Sequence, residues 1–128
     1  MNVAQINKDT LPLALSWWED RGGTAPVAEM LPPGGFIVED ICAGWLYLSD
    51  SVLSHYAWTV GNPAKSPKVT LKGFEVLING VKEYAEASGC PLIFAYTNHH
   101  GLLKLYQKHG FQLGDRNVNH LMYPGSFE

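Results

Sequence analysis

Residues 53–97, LSHYAWTVGNPAKSPKVTLKGFEVLINGVKEYAEASGCPLIFAYT, determine the fold of this chain. The segment begins and ends with short apolar runs, which are typical of buried strands. Between the runs, Ser66 can cap a helix that starts at Pro67 and is closed by Gly89. The apolar side chains of this helix fall on one stripe, made of Phe74, Leu77, Ile78, Val81 and Ala85. Because two strands joined by a helix need a crossover, the segment predicts a right-handed parallel strand–helix–strand unit.

Shorter elements flank this unit on both sides. The sequence predicts helices over 10–20 and about 101–109, and strands over 36–39, 41–48, 111–113 and 118–123. The two strands before the unit form an antiparallel meander with it, and the strand over 91–96 is apolar enough to be a buried central strand. We therefore expect one α/β (α+β) domain over 1–128, with a single mixed, mostly antiparallel sheet and the parallel crossover at its centre.

Composition limits the classes of function. The 128 residues are 46% apolar and 16% charged, which is a globular composition. Nine basic and twelve acidic residues give a net charge of −3, which disfavours a nucleic-acid partner. The chain lacks a membrane-length apolar run and a signal-peptide pattern at its start, and it has only two cysteines. We expect a cytoplasmic protein with no membrane partner.

Charge is distributed unevenly along the chain. Residues 1–50 carry seven acidic side chains, whereas residues 51–74 carry none and have three lysines, Lys65, Lys68 and Lys72. This positive segment coincides with the predicted start of the long helix. Helix N-termini present unpaired N–H groups and a partial positive charge, so this position favours an anion such as a phosphate.

The segment LYQKHGF, residues 105–111, resembles the Leu-Tyr-x-Lys-x-Gly-Phe motif of the GNAT superfamily of acyl-CoA-dependent N-acyltransferases. The order of predicted elements over 36–123 is similar to that family as well. The first 35 residues match more loosely, as an abbreviated first strand and a helical arm. The resemblance implies a GNAT-like fold and transfer of an acetyl group from acetyl-CoA to a small-molecule or peptide amine.

The resemblance also implies where coenzyme A would lie. Its pantetheine would pair with the backbone near Trp58, Thr59 and Val60, and its pyrophosphate would sit on the N-terminus of the long helix. The family's phosphate loop, Arg/Gln-x-x-Gly-x-Gly/Ala, aligns with residues 68–73, where Leu71 replaces the middle glycine. The remaining residues that the resemblance assigns to the coenzyme are Lys68, Thr70, Lys72, Gly73, Asn98 and Lys108.

The resemblance assigns Tyr106 as the general acid that protonates the leaving thiolate. The general base stays open among His55, Glu39 and Asp40, and histidine has the most suitable pKa for that role. His99 and His100 are adjacent on an irregular segment without further ligands at a familiar spacing, so we expect no metal site.

Two alternatives stay open at the level of the whole protein. The atypical phosphate loop is compatible with a catalytically inactive GNAT-fold protein that binds a ligand or a partner through a degraded coenzyme A site. The edge strands of the predicted sheet could also pair two copies of the chain into a homodimer.

Overall fold

Within residues 1–97 and 99–125, which the computed structural model describes, the protein forms one mixed sheet of five strands. The strands follow chain order across the sheet: β1 (Val3–Gln5), β2 (Gly35–Val38), β3 (Cys42–Tyr47), β4 (Leu53–Gly61) and β5 (Leu92–Ala95). The helices are α1 (Leu11–Asp20), α2 (Pro67–Ala87) and α3 (His100–Lys108), and a single 3₁₀ turn covers Ala28–Met30.

The strand directions confirm the predicted fold class. Strands β1 to β4 pair antiparallel, and β4 pairs with β5 in parallel through the α2 crossover. The crossover lies at the edge of the sheet and not at its centre, because within the described residues β5 has a strand neighbour on one side only. The abbreviated first strand expected within the first 35 residues is β1.

Helix α2 forms where local signals predict it. The Ser66 hydroxyl accepts a hydrogen bond of 3.3 Å from the Val69 N–H, and Pro67 begins the helix. Gly89 follows the helix with a φ of 78°, a conformation that glycine adopts without steric cost. The predicted apolar stripe is buried against the sheet.

The helices cover the two faces of the sheet unequally. On one face, α2 and α3 bury a cluster that includes Val38, Leu46 and Tyr56. On the other face, α1 packs Trp17 against a second cluster that contains Trp45. Both helical layers contact β4. Aromatic side chains therefore lie on both faces of this strand.

The prediction of two C-terminal strands is wrong. Residues 111–113 and 118–123 form no strand in the described part of the chain, and most of their side chains are exposed. Strand propensity reflects packing against a neighbour, and these short apolar runs have no paired neighbour here. Accordingly β5 is an edge strand and not the buried central strand expected, with Leu92 and Phe94 about half exposed (52% and 48%).

Gly73 shows how closely α2 approaches the sheet. A β-carbon at this position would lie 2.5 Å from Ile41 Cγ2 and 3.1 Å from Cys42 Sγ. Real β-carbons essentially never approach other atoms as closely as the first of these distances. Glycine at position 73 is thus required by packing between α2 and the start of β3.

We expect Gly73→Ala to lower the free energy of unfolding by about 1–3 kcal/mol, because overpacking outweighs the roughly 1 kcal/mol that alanine gains in helix propensity. Urea denaturation measures the effect. The matched control is Gly80→Ala on the same helix, where the nearest neighbour is the exposed Val3 side chain at 3.3 Å. This control should be neutral or stabilising, and equal effects of the two substitutions would contradict the packing argument.

Candidate active site

Strands β4 and β5 separate at the centre of the candidate site. Their parallel pairing runs from Leu53 opposite Leu92 to Tyr56 opposite Ala95, where β5 ends. Strand β4 continues to Gly61. From Ala57 onward, the edge of β4 that faced β5 has no strand partner in the described part of the chain. We call this unpaired stretch, 57–61, and the gap beside it the strand opening.

A β-bulge lies within the strand opening. Trp45 pairs with Ala57 and Ala43 pairs with Val60, so Gly44 alone faces the two residues Trp58 and Thr59. Trp58 has a φ of 59°, in the left-handed region that bulky residues rarely occupy. Such a conformation costs on the order of 1–3 kcal/mol and persists only where surrounding contacts enforce it. A bulge of this kind redirects backbone groups, and here it redirects those facing the opening.

The side chain of Trp58 packs on the α1 face of the sheet. Its ring meets Trp18 edge to face, with ring centroids 5.9 Å apart. Its indole Nε1–H donates a hydrogen bond of 2.9 Å to the Tyr47 hydroxyl, which in turn donates one of 2.6 Å to the Met30 carbonyl. Two of the residues assigned from the resemblance, Trp58 and Thr59, therefore form the bulge, and the third, Val60, follows it.

Tyr106 lies beneath the bulge on the opposite face. It is 5% exposed, and its ring packs 6.0 Å from that of Tyr56 and 5.3 Å from that of Phe111. Burial raises the pKa of Tyr106 to about 12, and a hydrogen-bonding contact with the Thr59 side chain acts in the opposite direction. The hydroxyl therefore keeps its proton at neutral pH. This is the state that a general acid needs before it acts.

His55 lies on β4 beside the strand opening and on the α1 face. It is half-buried, with its ring centroid 5.2 Å from that of Tyr96 and 6.3 Å from that of Tyr47. Burial lowers the pKa of His55 below its usual 6.5, and the nearby His120 adds to this shift. The imidazole is consequently neutral at pH 7 and able to accept a proton.

The other two candidate bases lie elsewhere, in the turn between β2 and β3. Glu39 accepts a hydrogen bond from the Asn2 N–H at 2.7 Å and pairs with the N-terminal ammonium group. Asp40 pairs with Lys65 at 2.9 Å, and this interaction holds the pKa of Asp40 below its usual 3.8. Both carboxylates are engaged in ion pairs, whereas the neutral His55 imidazole lies on β4 beside the opening.

Residues 68–73, which align with the family's phosphate-binding motif, are helical. They form the first two turns of α2, and the loop that precedes the helix is 62–66. Within the helix, Gly73 is a packing residue and the Thr70 hydroxyl donates to the Ser66 carbonyl at 3.0 Å. Leu71, which stands where the family has the middle glycine, lies on the exposed surface of the helix.

The loop 62–66 has few free N–H donors. Pro63 and Pro67 have no N–H. The Ala64 and Lys65 N–H groups both bond to Asn62, through its side chain at 3.0 Å and its carbonyl at 3.1 Å. An anion at this end of α2 would depend on side-chain cations more than on a backbone cradle.

Cations surround the start of α2. Lys68 and Lys72 are exposed and one helical turn apart, so they lie on one face. Sequence reasoning missed Arg21, whose Nε donates a hydrogen bond of 2.8 Å to the Gly61 carbonyl. Arg21 lies between the end of α1 and Gly22-Gly23. This position in the sequence does not indicate that its side chain contacts β4.

A groove of about 310 Å³ lies between α2 and α3. Its lining residues are Leu71, Glu75, Gly101, Lys104, Leu105 and Lys108. The Lys108 ammonium pairs with Glu75 at 3.2 Å, so this expected coenzyme residue does lie on the groove but is engaged by a carboxylate. Both helices begin at the carboxyl ends of parallel strands, where α/β sheets commonly bind ligands.

The expected site residues lie on three elements: Trp58, Thr59 and Val60 on β4, Lys68 to Gly73 on α2, and Tyr106 and Lys108 on α3. Asn98 lies outside the described residues. Sequence reasoning also missed Tyr47, although its alternation with Trp45 along β3 places both on the α1 face. Among residues 1–97 and 99–125, no three metal-binding side chains cluster, and no helix is both long and apolar enough to cross a membrane.

No family model and no curated protein matches the sequence. Solved structures do match its fold. The aminoglycoside N-acetyltransferase AAC(6')-Iy, in complex with CoA, aligns over 95% of this chain and 99% of its own, with a TM-score of 0.68 and 16% identity.

Two further acetyltransferases give similar values. A Trypanosoma brucei acetyltransferase covers 94% of this chain and 99% of its own, with a TM-score of 0.65 and 14% identity. An aminoglycoside antibiotic 6'-N-acetyltransferase from Acinetobacter haemolyticus covers 96% and 99%, with a TM-score of 0.58 and 11% identity. The agreement spans nearly the whole of each chain, and the protein therefore has the fold of the GNAT acetyltransferases.

Proposed function

We propose that this chain is an N-acetyltransferase that moves an acetyl group from acetyl-CoA to an amine. The observation that carries the proposal is the strand opening, with a bulge in β4 and a protonated, buried tyrosine beneath it. The presence of CoA in AAC(6')-Iy, which has the same fold, supports coenzyme A as the ligand.

The residues around the opening fit the coenzyme's chemistry. The unpaired backbone of 57–61 can hydrogen-bond to the amides of pantetheine as a neighbouring strand would. Lys68, Lys72 and Arg21 supply positive charge for a pyrophosphate at the start of α2. The groove between α2 and α3 offers Lys104 and Lys108 to a further phosphate. Acetyl-CoA supplies an activated thioester. The protein has to position the thioester, accept a proton from the amine and donate a proton to the thiolate.

Two side chains divide the proton work. The neutral His55 imidazole can accept a proton from the attacking amine, on the α1 face. The Tyr106 hydroxyl can give its proton to the departing thiolate, on the α3 face. The backbone N–H groups after the bulge can donate to the carbonyl oxygen as negative charge develops there. The two proton carriers lie on opposite faces of β4, so the amine and the thiol group would be served from different sides.

A second candidate function is a binding protein without catalysis. The observation that favours it is the scarcity of free N–H donors in the loop 62–66, which weakens the case for a phosphate cradle. Coenzyme binding and turnover separate the two candidates, since an inactive protein with a degraded site would show neither.

Acetyl-CoA should raise the thermal midpoint of the wild-type protein. A ligand that binds only the folded state at one hundred times its Kd stabilises it by about 2.7 kcal/mol. In the double variant Lys68→Ala with Lys72→Ala, the shift should fall by more than half at the same concentration, because two phosphate-facing charges are lost.

Differential scanning fluorimetry with millimolar acetyl-CoA measures this shift. The control is Lys8→Ala, which removes an exposed lysine before α1, and it should respond like the wild type. No shift in the wild type would contradict coenzyme binding and favour the second candidate function or another ligand.

Turnover should require both proton carriers. Tyr106→Phe should lower kcat by about 10²-fold or more with a nearly unchanged Kd for CoA, because only the proton is removed. The rate should rise with pH as His55 loses its proton, with a midpoint below 6.5. Tyr106 should cause no fall in rate until about pH 12, because it keeps its proton up to that pH.

The measurement is release of CoA thiol in the presence of an aminoglycoside, spermidine and a lysine peptide as acceptors. In His55→Gln, the acidic limb of the pH profile should disappear along with most of the activity. An acidic limb that persists in His55→Gln would exclude this histidine as the base.

A further inference from the structure

We infer that Trp58 and Tyr47 are positioning residues, which hold the β4 bulge in the conformation that the proposed transfer needs. The inference rests on the proposed function for its catalytic consequence. We call the four groups involved the Trp58 clamp: the side chains of Trp58, Trp18 and Tyr47, and the carbonyl of Met30.

The bulge needs an external restraint. Trp58 is the one residue in the described strands with a positive φ, and tryptophan has no intrinsic preference for that region. Without side-chain contacts, the strand would relax toward regular pairing with β3, and the backbone at Thr59 and Val60 would turn. The positive φ of Trp58 therefore depends on the contacts that hold its ring.

The hydrogen bonds of the clamp have a fixed direction. The Tyr47 hydroxyl has one proton, which it donates to Met30, so toward Trp58 it can only accept. The indole Nε1–H of Trp58 can only donate, so it pairs with a lone pair of the Tyr47 hydroxyl oxygen. The loss of the Tyr47 hydroxyl alone breaks both bonds and leaves a partly buried indole N–H without an acceptor.

The clamp also connects three parts of the chain to β4. Trp18 comes from α1, Tyr47 from β3 and Met30 from the 3₁₀ turn between α1 and β2. Trp18 fixes the ring by an edge-to-face contact, while Tyr47 and Met30 fix its rotation. From the other face, Gly44 leaves room for the Tyr56 ring directly under the bulge. The bulge is thus held from above and below.

The test compares single-atom and ring-conserving substitutions. Tyr47→Phe removes only a hydroxyl, and Trp58→Phe keeps an aromatic ring but removes the N–H. The matched control is Tyr84→Phe, which loses a hydroxyl on α2 and keeps its ring packed on Phe36. Turnover is followed with the most active amine of the acceptor panel, and CoA binding is followed by calorimetry.

We expect Tyr47→Phe and Trp58→Phe each to lower kcat by about 10- to 100-fold, because the donor to the developing oxyanion is displaced. The Kd for CoA should change less than threefold. The double variant should lose no more than either single variant, because both remove the same interaction. In NMR spectra of the free protein, the Trp58 indole proton should exchange faster in Tyr47→Phe, and the Thr59 and Val60 amide signals should move.

Unchanged Thr59 and Val60 amide signals in Tyr47→Phe would overturn the inference, whether or not turnover can be measured. Equal losses of kcat in Tyr47→Phe and Tyr84→Phe would also overturn it, since the effect would then reflect general destabilisation. A wild-type protein that binds no CoA would refute the proposed function instead, and the NMR comparison would still decide whether the clamp holds the bulge.

Discussion

The parallel pairing of β4 with β5 stops at Tyr56, and the proposed chemistry depends on that stop. A strand that continues past its neighbour exposes backbone donors and acceptors along one edge. Here the exposed edge is short, lies at the carboxyl end of a parallel pair, and adjoins the first turns of α2 and α3. The protein thereby presents a template for an extended, amide-containing ligand next to two helix N-termini.

The surroundings of this opening are built from aromatic side chains on both faces. Trp18, Tyr47 and Trp58 pack above β4, while Tyr56 and Tyr106 pack below it. Such residues bury large areas, and their polar ends supply directed hydrogen bonds. The arrangement explains how the strained bulge at Trp58, the protonated Tyr106 phenol and the neutral His55 imidazole can all lie next to β4. Burial sets the pKa of both titratable groups in the direction that the proposed roles need.

Phosphate binding is where this chain differs most from the pattern that its sequence resembles. Proline at positions 63 and 67 and the hydrogen bonds of Asn62 use up most of the backbone donors before α2. Lysines at the start of the helix and Arg21 beside Gly61 provide charge in their place. Salt screens the attraction between charges, so we expect it to weaken coenzyme binding more than at a site built from backbone N–H groups.

The sequence predicted what local signals determine. The cap at Ser66, the stripe of α2 and the crossover rule follow from neighbouring residues, and each observed α2, α3 or β2–β5 boundary lies within one residue of its prediction. The same cap places residues 68–73 in the first turns of the helix. The bulge at Trp58 could not be predicted, because its φ depends on partners from α1 and β3. The prediction of C-terminal strands failed because a short apolar run does not by itself supply a neighbour to pair with.

Amide hydrogen exchange with and without CoA would test directly whether the strand opening holds the coenzyme. Saturating CoA should slow exchange within 57–61 and at the first turn of α2, while amides of β1 and β2 keep their rates. Protection elsewhere, with unchanged exchange in 57–61, would contradict it even if CoA binds tightly.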